Sequence, residues 1–294
     1  MVSSTAQRRK DNFRSLNMWG MMSEKAENLE RLDSVWARIR EEASEIAKSE
    51  PVMSGFLHAT VLNHDGLETV IASHLAEKMG NAEIGAAALG EVFEEGLVNN
   101  PDLGETLRAD IIAHYDRDPA CRSYLDPVLY YKGFLALQAY RAAHWMINHD
   151  RRATALYIQN RASEVFQADI HPAATIGRGV FIDHATGVVI GETAVVGDDV
   201  SMLHSVTLGG SGKEDGDRHP KIGDGVLISV GAKVLGNIRV GECAKIGGGS
   251  VVLTDVPAYS TAVGVPAKIV HGVSSAQPSR HMDHSVEPPE GDGS

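Results

Sequence analysis

Two histidines in the second half of the chain, His184 and His204, share one position of a repeating pattern. His184 falls in Asp183–Gly187, a segment that interrupts a regular aliphatic spacing with a slip of two residues, and His204 has the same offset one turn of the repeat later. Imidazole is well matched to proton transfer near neutral pH. A second interruption, Gly209–Pro220, is rich in charged and polar residues. Because repeating folds accommodate insertions as loops, often on a functional face, we expect the chemistry in these two segments.

Aliphatic residues recur every six positions around these interruptions. The series consists of Ile170, Ile176, Ile182, Ile190, Val196, Met202, Leu208, Ile222, Ile228, Val234, Val240, Ile246 and Val252. Alternate residues of a strand point to the same side, so these positions and those two before them are predicted to face an interior. Three six-residue sides close one coil, and about four to five coils stack into a prism. Its exposed faces and open ends predict association of copies.

The first half of the chain has an apolar period near 3.6 residues, which predicts helices. Predicted helices include Leu67–Met79, Pro127–Asn148 and Arg152–Phe166. We assign residues 1–30 to a disordered arm, 31–168 to a helical domain, 169–273 to the repeat domain and 274–294 to a disordered tail. The basic residues near the start also resemble a weak transit composition, but no apolar segment of a secretory signal follows them.

Composition excludes several function classes. The net charge of −12 argues against a nucleic-acid partner, since no positive field is available to meet phosphates. No apolar run is long enough to span a membrane. The two cysteines, Cys121 and Cys243, form neither a disulfide framework nor a four-thiolate metal site, so a reducing cytoplasm is expected.

These motifs together resemble those of bacterial serine O-acetyltransferases, over about residues 35–272. The segments that carry the resemblance include RDPA (Arg117–Ala120), LYYKGFLALQAYRAAHW (Leu129–Trp145), DHATG (Asp183–Gly187), DRHPKI (Asp217–Ile222) and GVPAKIV (Gly264–Val270). The resemblance implies the α+β fold class, with an all-helical N-terminal domain followed by a left-handed parallel β-helix of hexapeptide repeats. It also implies trimers, two of which join through the helical domains into a hexamer.

The implied reaction moves the acetyl group of acetyl-CoA to the hydroxyl of L-serine and gives O-acetyl-L-serine and CoA, the first step of cysteine biosynthesis. By resemblance, His184 is the general base, Asp169 orients and stabilises its imidazole, and Glu192 supports the same network. Acetyl-CoA is then a co-substrate, and no permanently bound cofactor or metal is expected.

The resemblance also assigns binding residues. Those expected to hold the serine carboxylate are Arg218 and His219, and those expected to hold its ammonium group are Asp118 and Asp183. The residues expected along CoA are Gly210, Val230, Gly231, Gly248 and Lys268. L-cysteine is expected to inhibit from the serine pocket. A tail contact with O-acetylserine sulfhydrylase is implied as well, although Ser294 departs from the isoleucine often found at that position.

Three alternatives stay open at this point. The first is a hexapeptide acetyltransferase for another acceptor, such as homoserine or a sugar. The second is a zinc-dependent β-helix carbonic anhydrase, with His184, His204 and His219 as ligands. The third is a non-catalytic scaffold, against which the presence of His184 and Asp169 argues.

Overall fold

A computed structural model describes residues 34–100, 103–212, 215–272 and 277–285, and it begins with a bundle of helices. The helices are α1 (residues 34–49), α2 (Pro51–Leu57) with a π-helical turn (His58–Leu62), α3 (Leu67–Met79), α4 (Ala86–Val98), α5 (Leu103–Arg117), α6 (Leu125–Tyr130), α7 (Lys132–Asn148) and α8 (Arg152–Phe166). Within this part of the chain, no helix is both long and apolar enough to cross a bilayer. The predicted arm at residues 1–30 lies outside the described residues.

The single helix predicted over Pro127–Asn148 is wrong, because the structure has two helices, α6 and α7, in its place. Tyr131 between them is extended, with φ −86° and ψ 104°. This break brings Gly133 so close to the solenoid that a Cβ atom there would lie 1.9 Å from the carbonyl oxygen of Ile182. Helical continuity is therefore lost where α7 has to pack against the first coil.

The repeat region forms a left-handed parallel β-helix, as expected. Its strands are β1 (Ala168–Ile170), β2 (Thr175–Ile176), β3 (Phe181–Ile182), β4 (Val188–Ile190), β5 (Val195–Val196), β6 (Ser201–Met202), β7 (Thr207–Gly209), β8 (Lys221–Ile222), β9 (Leu227–Ile228), β10 (Lys233–Leu235), β11 (Arg239–Val240), β12 (Lys245–Ile246), β13 (Val251–Val252), β14 (Ser260–Gly264) and β15 (Ala267–Gly272). They form three sheets: a first sheet β1-β4-β7-β10-β13, a second sheet β2-β5-β8-β11 and a third sheet β3-β6-β9-β12-β14-β15.

The predicted interior column is confirmed. Ile182, Met202 and Ile228 stack in register on the third sheet and are at most 1% exposed. Because a stacked aliphatic column removes apolar surface from water at every coil, the six-residue spacing alone specifies this core.

Helix α7 caps the open end of the solenoid. Within the stack, each coil donates backbone N–H groups to the next coil, so the carbonyl groups of the first coil have no strand partner before them. Side chains of α7 donate to these oxygens: Tyr140 Oη to Ala174 (2.6 Å), Arg141 Nη2 to Gly177 (2.8 Å) and His144 Nδ1 to Pro172 (2.7 Å). Buried backbone groups need such partners, so the cap satisfies an otherwise costly edge.

Residues 277–285 differ from the disordered tail predicted for 274–294. They include a short helix, α9 (Pro278–His281), which lies against the outer face of the third sheet. Two outward residues of that sheet, Ser201 and Lys245, are buried there and pair with Ser279 and Asp283, at 2.9 and 3.3 Å. A polar composition suggested disorder, but these buried polar groups of the sheet supply specific partners for the segment.

Candidate active site

The loop Asp183–Gly187 leaves the third sheet at a corner and presents His184 outward. The N–H of Asp183 still belongs to the ladder and donates to the Met202 oxygen at 2.9 Å. His184 and Ala185 then adopt left-handed backbone, with φ of 57° and 55°. This conformation is uncommon outside glycine and is often found at functional sites. It leaves the His184 side chain 74% exposed.

One carboxylate lies beside this imidazole, and a second lies near the first. Asp183 Oδ1 is 3.7 Å from His184 Nε2. Burial raises the pKa of Asp183, and the nearby Asp118 carboxylate raises it further, whereas His184 and His204 oppose the increase. Asp118, which follows α5, is held by a hydrogen bond from the Ala120 N–H at 2.8 Å. The structure therefore brings Asp118 near Asp183, which lies beside His184, in an arrangement suited to a cationic group.

His204 lies at the same corner one coil later, as the spacing predicts. The ring centroids of His184 and His204 are 5.8 Å apart, and the rings are nearly perpendicular. Asp118, Asp183, His184 and His204 are called the first-edge cluster below, because they lie where the chain enters β4 of the first sheet.

The first-edge cluster rests on the helical bundle through residues that sequence reasoning did not single out for function. His114 of α5 is fully buried, and its ring centroid lies 4.9 Å from that of Phe181 in β3. Burial lowers the pKa of His114 to about 4, so its imidazole is neutral at pH 7. At the start of α7, Lys132 Nζ donates to Thr186 Oγ1 of the loop at 2.5 Å. A histidine or lysine on a helix carries no sequence signal that separates such support from ordinary packing.

A second cluster lies at the other edge of the first sheet. Arg218 Nη2 donates to Glu192 Oε2 at 2.6 Å, and this hydrogen bond lowers the pKa of Glu192. The ring of His219 packs directly on Gly191, where a Cβ would lie 2.0 Å from ring atoms. Burial lowers the pKa of His219, and the positive charge of Arg218 lowers it further. We call Glu192, Arg218 and His219 the second-edge cluster.

Thr193 orients the second-edge cluster, a role that was not predicted from the sequence. Its N–H donates to His219 Nδ1 at 3.2 Å, while its Oγ1 accepts from the N–H groups of Arg218 and His219 at 3.0 and 3.1 Å. Because Nδ1 of His219 is an acceptor, the ring proton of the neutral imidazole lies on Nε2. His219 and Arg218 can therefore both act as donors to an anion. The position of Thr193 directly after Glu192 at a corner is the signal that was available.

The two clusters do not meet within one chain. Strand β4 separates them, and the four steps from Gly187 to Gly191 span about 13 Å at the usual rise of a strand. A single amino acid is too short to bridge that distance. One chain therefore presents two half-sites.

Two expected contacts of His184 are not found. Glu192 pairs with Arg218 and so belongs to the second edge. Asp169 lies on the outward side of β1, where its Oδ1 accepts a hydrogen bond from Gln159 at 2.7 Å. The structure describes both side chains, and no ion pair or hydrogen bond joins Asp169 to His184. The spacing placed Asp169 on the correct sheet, but it could not show that α8 supplies it with a nearer partner.

The residues expected along CoA are distributed over both edges. Val230, Gly231 and Gly248 follow His204 up the same corner, since the Gly231 N–H donates to the His204 oxygen at 3.0 Å and a Cβ on Gly248 would touch Val230. Gly210 instead lies beside the Arg218 side chain. Lys268 is exposed on β15. Val230, Gly231 and Gly248 thus form one continuous column with His184 and His204.

The zinc alternative required His184, His204 and His219 around one ion. Within one chain, His219 lies across the first sheet from the other two. Among the described residues, no group of three or more His, Cys, Asp or Glu side chains could hold a metal ion.

Comparisons with known proteins decide the family. A model described as "Serine acetyltransferase, N-terminal" matches residues 35–139. A serine acetyltransferase of Salmonella typhimurium is 54% identical over 254 residues, which cover 86% of this chain and 93% of that protein. The chain belongs to the serine acetyltransferase family.

Solved structures of serine acetyltransferases share the fold. One from Brucella abortus in complex with coenzyme A is 52% identical, has a TM-score of 0.81 and is matched over 84% of this chain and 98% of its own. Another, in complex with cysteine, is 49% identical, has a TM-score of 0.85 and is matched over 88% of this chain and 100% of its own.

Proposed function

We propose that this chain transfers the acetyl group of acetyl-CoA to the hydroxyl of L-serine and releases O-acetyl-L-serine and CoA. The observation that carries the proposal is the first-edge cluster, in which an exposed imidazole lies beside Asp183 and a second carboxylate, Asp118, lies near Asp183. The family membership supports it, as do the related structures in complex with coenzyme A and with cysteine. Cysteine differs from serine only by sulfur in place of oxygen, so it suits the same pocket.

The first edge supplies the base and the ammonium site. Asp118 and Asp183 hold the ammonium group of serine, which places its hydroxyl near the imidazole of His184. His184 removes the hydroxyl proton as the serine oxygen attacks the thioester carbon. When the bond from this carbon to sulfur breaks, the same imidazole returns the proton to the leaving thiolate. Atoms and charge balance without a covalent enzyme intermediate.

The second edge supplies the carboxylate site. Arg218 offers planar donors that suit a carboxylate, and the Nε2 proton of His219 adds another. Glu192 accepts a hydrogen bond from Arg218 Nη2 and so holds the guanidinium in place. Because the two edges are too far apart in one chain, we propose that each serine pocket combines the first edge of one protomer with the second edge of its neighbour.

Exposed apolar residues support assembly through two sides of the prism. The third sheet is covered by α5, α7 and α9, and its outward residues Phe181 and Leu227 are buried. On the first and second sheets the outward residues Val189 and Val195 are each 37% exposed. Two open sides per copy suit a closed ring, and we propose a trimer with a further pairing of trimers through the helical bundle.

Asp169 keeps a proposed role at this interface. It lies on the outward side of the first sheet, which the trimer would cover. There it can orient the imidazole of His184 once its hydrogen bond from Gln159 is broken.

The proposal also includes inhibition by L-cysteine from the serine pocket. Contact with O-acetylserine sulfhydrylase through the C-terminal tail stays a prediction, since the end of that tail, residues 286–294, lies outside the described structure.

An acceptor assay tests the proposed function. Purified protein is incubated with acetyl-CoA and with L-serine, L-homoserine or a neutral sugar, and free CoA is measured. We expect turnover with L-serine to exceed turnover with either other acceptor, and L-cysteine to raise the KM for serine. Preference for homoserine or a sugar, or CoA release that is independent of any acceptor, would contradict the proposal.

A further inference from the structure

His204 is an imidazole of the first-edge cluster that takes no part in the proposed proton transfer. It is half-buried, and its Nδ1 is enclosed by protein with no hydrogen-bond partner among the described residues. Any hydrogen bond from this ring to a ligand therefore has to use Nε2. The ring lies edge-to-face with the ring of His184.

The position of His204 along the corner column indicates what it faces. Coils follow one another at a spacing of about 4.8 Å, and His204 lies one coil beyond His184. The next coil places Val230 and Gly231 on top of His204, through the bond from the Gly231 N–H to the His204 oxygen. His204 thus lies between the proposed base and the residues proposed to line CoA.

The reacting thioester has to lie in the same interval. Its carbon meets the serine hydroxyl at His184, and its sulfur connects to the CoA chain that follows Val230 and Gly248. Asp183 lies near both imidazoles, so the corner combines negative charge with two rings that can present N–H groups. A sulfur that gains negative charge needs a donor at this point.

We infer that Nε2–H of His204 donates a hydrogen bond to the thioester sulfur as the bond from carbon to sulfur breaks. The new bond from the serine oxygen to carbon forms, the electron pair of the broken bond goes to sulfur, and the proton passes through His184. His204 keeps its own proton throughout. This inference rests on the proposed function, because it assigns a catalytic residue to that reaction.

Two amide substitutions separate the ring nitrogens of His204. In His204→Gln, the side-chain NH₂ reaches the position of Nε2, whereas in His204→Asn it reaches only the position of Nδ1. With acetyl-CoA and L-serine, we expect kcat to fall about 10- to 100-fold in His204→Asn, which is the usual size of a lost hydrogen bond to a charged group. We expect His204→Gln to stay within about threefold of the unmodified protein, with the KM for serine unchanged in both.

An activated thioester shows whether the loss concerns the leaving group. Phenyl thioacetate releases a thiolate that leaves readily without a donor, so the unmodified protein and His204→Asn are expected to acetylate serine from it at rates within about threefold. Size-exclusion chromatography and thermal unfolding check that both variants assemble. Equal losses with both thioesters, equal losses in both variants, or no loss with acetyl-CoA would overturn the role of His204. Absence of serine acetylation from acetyl-CoA by the unmodified protein would instead overturn the proposed function.

Discussion

The two edges of the first sheet carry comparable numbers of functional side chains but are supported in different ways. The first-edge cluster rests on the helical bundle. His114 packs beneath β3, Asp118 follows α5, and Lys132 of α7 donates a hydrogen bond to the loop that carries His184. The second-edge cluster is supported within the solenoid, since Thr193 and Glu192 hold Arg218 and His219. The helical bundle is therefore part of one half-site, whereas the other half-site belongs to the repeat alone.

The largest expected effect comes from removing the base of the first edge. We expect His184→Ala to lower kcat by a factor on the order of 10² to 10⁴, since general-base catalysis contributes about that much. The KM for serine is expected to change little, because the ammonium and carboxylate sites remain. Steady-state kinetics measure both constants, and His149→Ala, at an exposed surface histidine, serves as the control. A loss smaller than tenfold with intact assembly would remove His184 from the mechanism.

A smaller effect, of a different kind, is expected at the second edge. Arg218→Ala removes a charged donor to the serine carboxylate, which costs about 10- to 100-fold in kcat/KM and acts mainly through the KM for serine. Arg178→Ala, at an exposed corner arginine paired with Asp198, is expected to match the unmodified protein. If Arg218→Ala lowered kcat without raising the KM for serine, the assignment of the carboxylate site to the second edge would be wrong.

Mixing these two impaired variants, with activity assayed at serine concentrations well below the KM, tests whether the edges meet between protomers. Chains carrying His184→Ala and Arg218→Ala are unfolded together in equal amounts and refolded, so that mixed trimers form. If each pocket takes one edge from each of two protomers, about a quarter of the pockets have both edges intact, and about a quarter of the unmodified activity returns. Recovery no greater than the sum of the separately refolded variants would place both edges of a pocket in one chain.

The smallest effect concerns the support of the first edge. The pKa of His114 is lowered to about 4 in the folded protein, whereas an unfolded imidazole takes up a proton near pH 6.5. The contribution of His114 to the free energy of unfolding is therefore expected to fall by about 2 kcal/mol between pH 7 and pH 5, because only the unfolded chain binds this proton. In His114→Leu the loss between these pH values should be smaller by about this amount, while in His149→Leu it should be unchanged. Urea unfolding at both pH values provides the measurement, and equal slopes in the two variants would contradict this account.

Positions that spacing alone determines could be predicted from the sequence. A six-residue period fixes which side chains stack, so it predicted the column of Ile182, Met202 and Ile228 and placed His204 beside His184. It failed where partners come from distant segments. Gln159 on α8 takes the carboxylate of Asp169, and nothing in the local repeat identifies that neighbour.

The remaining differences have the same physical origin. The break at Tyr131 exists because Gly133 has to meet the first coil, and the packed segment at residues 277–285 exists because Ser201 and Lys245 are buried on the third sheet. Pairings across a corner, such as Glu192 with Arg218, depend on side-chain direction, which the period does not encode.

The side chains of α7 that donate hydrogen bonds to the first coil also block the addition of another stack at that end of the solenoid. A bare end of a parallel stack is a template onto which another stack can add, coil upon coil, in the manner of a fibril. Tyr140, Arg141 and His144 occupy carbonyl groups that such growth would use. The helical bundle thus acts as a terminator of polymerisation, and a chain shortened to the repeat alone would expose a surface prone to end-to-end aggregation.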